Sequence, residues 1–172
     1  MTMKPFITTL CISALLATTA PLRAADTQEN EKADSTVTEA LQSAGVGYKL
    51  DEDGNFHLTV KYKIGRSQKV LVRSTTIQLG PEPDGDDMRE IYSVAFVSSQ
   101  PPSPGLAARL LEESGTAKIG GWVVRKVGDK FEIAFRAIVP ADMCEDELIP
   151  AISIVASFAD SLEKAETNKD EN

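Results

Sequence analysis

The chain is poor in the residues from which catalytic and metal centres are usually built, with one histidine, two cysteines and one tryptophan among 172 residues. A lone His57 excludes two-histidine metal sites and leaves Cys144 or a serine as the nucleophile it could assist. The other cysteine, Cys11, lies in an N-terminal apolar run, so a chain that loses that run keeps a single thiol and can form no internal disulfide. Apolar residues are also never continuous for long. A membrane-spanning helix needs about 18 or more in a row, and the N-terminal run is shorter and stops at Pro21.

What the N-terminus does have is the layout of a secretory signal. Lys4 supplies the positive start, Phe6 to Ala20 the apolar stretch and Leu22-Arg23-Ala24 a cleavage site before Ala25. Cys11 follows Leu10 and comes too early for lipoprotein processing, so residues 1–24 are expected to be removed and the protein to be periplasmic or secreted. Cleavage takes Lys4 and Arg23 and no acid, which turns the formal charge of −8 into −10. That balance points away from nucleic acid and anionic lipid as partners.

Two polar stretches, 25–34 and 164–172, lack large apolar residues and read as mobile tails around one domain over 35–163. Within it, Ser35 or Thr36 caps a short helix carrying Val37, Leu41 and Ala44, which Gly45 stops. Two alternating runs flank Asp53-Gly54, the signature of a two-residue type I′ hairpin between strands at Val46–Leu50 and from Phe56. A third strand covers Gln68–Thr76. The segment Leu79–Arg89 is acidic and rich in proline and glycine, hence an exposed loop, and a fourth strand spans Glu90–Ser98. Ser103 and Pro104 open a second helix with Leu106, Leu110 and Leu111 on its buried side and Gly115 as its end. Strands at Lys118–Val127 and Lys130–Val139 meet at Gly128-Asp129, and Gly120-Gly121 marks a bulge or a close backbone approach. A long helix from about Met143 to Glu163 closes the chain, with Pro150 implying a kink or a start nearer Glu147. The order α-β-β-β-β-α-β-β-α gives an α+β fold, a mostly antiparallel sheet with helices on one face.

Several of these residues carry a family likeness. Gly47-Tyr48-Lys49, the turn Asp51 to Asn55, the run Gly65-Arg66-Ser67-Gln68-Lys69-Val70, the strand Ile91-Tyr92-Ser93 and the closing helix resemble YbjN-like proteins, which share the fold of type III secretion chaperones. The resemblance covers about residues 36 to 163. It implies a non-enzymatic, often dimeric module that binds other proteins, with no catalytic residues to carry over, and the secretory signal points away from cytosolic chaperone work.

The chemistry on offer is sparse. Asp51, Asp53 and Asn55 have the spacing that begins a calcium loop, but Tyr62 stands where the bidentate glutamate belongs, and a hairpin turn accounts for the same residues. Glu82, Asp84, Asp86 and Asp87 read as a solvated loop. Cys144 is a small apolar filler or a mildly reactive thiol near a helix start. Trp122, Phe131 and Phe135 read as core aromatics, with Trp122 as the one that could line a groove. No catalytic, metal or cofactor-binding residue is assigned. Strands two and three collect His57, Lys61, Lys63, Arg66, Lys69 and Arg73, a basic stripe on an acidic chain, which either is an ordinary solvated face or steers a protein partner or a second copy in a homodimer. The expectation is thus an exported protein-binding module, with an exported hydrolase or an envelope-associated structural subunit as the alternatives.

Overall fold

The computed structural model describes residues 30–63, 65–81, 86–167 and 170; the signal-like segment and Cys11 lie outside them. The fold is α+β: α1 (Ser35–Ser43), β1 (Tyr48–Leu50), β2 (Phe56–Lys61), β3 (Ser67–Leu79), β4 (Asp86–Ser98), α2 (Pro104–Thr116), β5 (Gly121–Val127), β6 (Lys130–Pro140) and α3 (Glu145–Thr167). The six strands form one antiparallel sheet in the order β1-β2-β3-β4-β6-β5.

Strand alternation decides which side chains meet the helices. Phe56 and Leu58 on β2, Val70 and Val72 on β3, Ile91 on β4 and Phe135, Ala137 and Val139 on β6 share a core with Val37, Ala40 and Leu41 of α1 and Leu148, Ile152 and Val155 of α3. A smaller cluster joins Ala95 and Ile133 to Leu110 of α2 and to Ala159 and Leu162 of α3. All three helices therefore lie on one face of the sheet. Trp122 is a core aromatic, edge-on to Phe135 and Phe158 with its Nε1 donating to Glu113 at 2.8 Å.

Several boundaries differ from the sequence reading, each for a tertiary reason. Asp34, and neither Ser35 nor Thr36, caps α1, its carboxylate accepting from the Val37 N–H. That residue belongs to a stretch read as a tail, yet residues 30–34 are held: Asn30 donates to the Asp51 carbonyl at 2.8 Å and the Asp34 N–H donates to Ser74 Oγ at 3.1 Å. At the other end α3 runs on to Thr167, and Asp170 accepts from the Ser67 N–H. Strand pairing of Leu50 with Phe56 makes the first hairpin loop the five residues Asp51 to Asn55 instead of a two-residue turn. Asp51 closes that loop by accepting from the N–H groups of Asp53 and Asn55.

The acidic loop ends earlier than its composition suggests, because Asp86 to Arg89 find strand partners in Thr76 to Leu79 on one side, and Met88 and Arg89 find Pro140 and Val139 on the other. Arg89 is buried, its guanidinium donating to the carbonyls of Arg73, Ser74 and Ala141 and pairing with Asp34 at 2.8 Å. On α2, Ser103 and Pro104 act as expected, but the helix runs through Gly115 to Thr116, and Leu111 is 75% exposed while Leu110 is buried. Adjacent helical residues point about 100° apart, and α2 turns Leu110 onto Ala95 and Ile133 of the sheet while Leu111 falls beyond that contact. Gly120 is a close approach: its φ is +70° and an added Cβ would strike the Arg136 carbonyl oxygen. α3 begins at Glu145 with Pro150 inside it, so the later start near Glu147 does not occur.

Candidate functional site

The face of the sheet away from the helices is uncovered, and its side chains follow from the register. Across its middle, Lys49 of β1 stands opposite His57 of β2, His57 opposite Leu71 of β3, Leu71 opposite Tyr92 of β4 and Tyr92 opposite Arg136 of β6. Residues directly opposite in antiparallel strands point to the same side. Tyr92 is buried even here, because Arg125 lies 4.6 Å over its ring and its hydroxyl donates to Glu132. Burial, then the hydrogen bond to Glu132 and the charge of that carboxylate, push its phenol above the ordinary tyrosine range. Beside it, Val94, Ala134 and Val123 form an apolar row.

Charges on this face sort into two kinds. Glu90 holds both Arg73 at 2.9 Å and Arg136 at 2.5 Å, and Glu132 holds Arg125 at 2.6 Å. Lys49, Lys61 and Lys69 are exposed and have no ion-pair partner among the described residues. Lys69 precedes Leu71 on the same side of β3, Lys49 lies two strands away across His57, and Lys61 stands at the far end of β2 opposite Ser67.

The basic stripe read from the sequence is accordingly divided. Lys61 and Lys69 project outward as alternation requires, and Lys63 is exposed in the following turn. His57 also projects outward but is engaged by Asp51 at 3.1 Å. Burial opposes ionisation of Asp51, yet donation by the Asn55 side chain, by His57 and by two backbone N–H groups outweighs it and holds the carboxyl at about 2. Arg73 is outward and spent on Glu90. Arg66 leaves the stripe altogether: it lies in the turn before β3, where strand alternation does not apply, and its Nε donates to Asp160 at 2.7 Å while a terminal nitrogen donates to Glu163 at 3.0 Å. Lys49 was missed by sequence reasoning. Its outward position on β1 follows from pairing with His57, which no local pattern of a three-residue strand announces.

Other clusters resolve as structure. The carboxylates of Asp160, Glu163 and Asp170 converge within 4.8 Å, the one grouping among the described residues close enough to share a cation. The Arg66 guanidinium is that cation, its own pKa raised by the Asp160 hydrogen bond against the cost of burial. Tyr62 beside it is pushed up to about 12 by burial and by the Asp160 charge. A cleft of about 340 Å³ between α2 and α3 is lined by Arg109, Glu113, Phe158 and Leu162, and one of about 590 Å³ by Asp34, Arg89, Asp87 and Asp142. Neither contains His57 or Cys144. Cys144 is exposed, its thiol 3.8 Å from Glu147.

No described helix is long and apolar enough to cross a membrane. Comparison with protein-family models, with curated proteins and with solved structures finds no match to this chain.

Proposed function

We propose that the chain is an exported, YbjN-like module that performs no reaction and binds another protein on its open sheet face. The observation that carries this reading is the combination on one uncovered surface of an apolar centre, Leu71 with Val94 and Val123, and three unpaired lysines, Lys49, Lys61 and Lys69, in a chain of formal charge −8. An isolated cation gains little from staying solvated in an acidic molecule, whereas a cluster of them beside apolar surface steers and then seats an acidic partner. The YbjN likeness read from the sequence supports the class, and the expected removal of residues 1–24 supports a periplasmic or secreted location.

The experiment is capture of partners from the native cell envelope by the wild-type chain and by Leu71→Asp. A single stoichiometric protein retained by the first and lost by the second, with the variant still folded by circular dichroism, supports the reading. Equal retention by both places the binding elsewhere.

A further inference from the structure

The two margins of the sheet differ. β1 closes one with three residues, while β5 closes the other with seven, free of proline and in unbroken register with β6. Edge strands are ordinarily blunted by shortness, proline or a bulge, because their outer N–H and C=O groups invite another strand. β5 has none of these devices, and from Val124 to Val127 every residue is exposed, Val124 at 42% and Val127 at 55%.

One hydrogen bond fixes which backbone groups face outward. The Trp122 N–H donates at 2.8 Å to Ser114 Oγ of α2, so it points away from β6, the one strand beside β5. Backbone groups alternate along a strand, so those of Val124 and Lys126 point the same way, and no described strand lies beyond them. Their side chains fall on the helix side with Trp122. Leu111, one turn before Ser114 on α2, is 75% exposed on that flank. On the open side Val123 and Val127 flank Arg125, which Glu132 holds at 2.6 Å. Asp129 in the turn offsets Lys130, which leaves Lys126, without an ion-pair partner among the described residues, as the surplus charge of this margin.

A second copy is a poor occupant. Pairing Val124 with Lys126 of another copy, and the reverse, sets Arg125 directly opposite its own equivalent, where like charges destabilise. Pairing Val124 with its own equivalent instead calls on the Trp122 N–H that Ser114 already holds.

We infer that the β5 edge takes up an extended segment of another protein as an added strand, with aliphatic residues opposite Val123 and Val127 on the open side and a carboxylate opposite Lys126 on the helix side. The N–H and C=O groups of Val124 and Lys126 hold the segment, and the side chains select it. This edge shares Val123 with the open-face reading but does not rest on it, since Leu71 of β3 lies three strands away.

Amide exchange followed by NMR, on the chain with residues 1–24 removed, tests it. The probe is a short synthetic peptide with valine on one side and threonine on the other, one central threonine replaced by glutamate, or by lysine in a second peptide. The glutamate peptide is expected to slow exchange of the Val124 and Lys126 amides at least about fivefold. Lys126→Glu should reverse the preference to the lysine peptide, because opposite charges across a strand pair attract and like charges repel. Val124→Pro removes an outward N–H and leaves the ladder to β6, the placement proline tolerates at an edge, and should abolish binding. Lys126→Glu, a surface change, keeps the test decisive if the proline variant does not fold. Leu71→Asp should bind the peptide as wild type does, which separates this margin from the open face. Unchanged exchange at both amides, equal protection by both peptides, or loss of binding in Leu71→Asp overturns the inference. So does protection that grows with the concentration of the chain alone, which would assign the edge to a second copy.

Discussion

Arg66 and Asp160 stand 94 positions apart in the chain and meet at 2.7 Å, tying the turn before β3 to the C-terminal half of α3. Glu163 completes the clasp and is buried, and the arginine side chain itself is only 14% exposed. Coulomb attraction between such groups is offset by the cost of taking them out of water, so the pair adds little net stability while intact. Breaking it is another matter.

Arg66→Ala would remove the guanidinium that the buried carboxylates of Asp160 and Glu163 both accept from. The expected loss is about 3 kcal/mol in unfolding free energy, read as a shifted urea midpoint with an unchanged slope. Lys61→Ala and Lys69→Ala, on exposed sites, should each stay within about 0.5 kcal/mol. An Arg66 effect as small as theirs would return that residue to the solvated stripe.

This clasp also shows where sequence reading stops. Strand alternation correctly gave the outward directions of His57, Lys61 and Lys69, because a period of two is a local property of the backbone. The caps at Ser103 and the stop at Gly45 were legible for the same reason, since their hydrogen-bonding needs are met within a few residues. Arg66 sits in a turn and its direction is set by acids on a distant helix. Asp34 looks like part of a polar tail until Arg89, a buried cation on β4, supplies the partner that fixes it. Asp86 to Arg89 read as loop until β6 offers them a ladder. The open face itself could be drawn from the sequence, but its division into spent arginines and free lysines depends on which carboxylate of which strand lies opposite.

Backbone strain separates two glycines. Gly65 has φ +84° with no atom within 4 Å of an added Cβ, whereas Gly120 combines φ +70° with the Arg136 backbone at contact. Gly65→Ala should cost about 1 kcal/mol, the price of the left-handed conformation alone. Gly120→Ala should cost more, about 2 to 3 kcal/mol, since β5 must also shift from β6. Thermal melts of the two variants give the order, and equal melting points would contradict the close approach.

The Asp51 carboxyl, held at about 2 against an ordinary 3.8, links the first hairpin loop to pH. A carboxyl depressed in the folded state contributes stability above its unfolded value and loses it as pH falls through the folded one. Because Asp51 is partly exposed, solvent screening keeps that contribution small. Wild type should therefore be more stable than Asp51→Ala at pH 6, with the gap narrowing between about pH 4 and pH 2. A gap that widens on acidification would show that the loop hydrogen bonds do not favour the charged carboxylate.

The most direct test of the partner-binding face is lysine footprinting with an amine-reactive label, comparing the purified protein with the protein in its native envelope fraction. Lys49, Lys61 and Lys69 should lose reactivity in the envelope, while Lys118 and Lys164, exposed but away from that face, should react equally in both. Equal labelling of all five in the two samples would contradict the account.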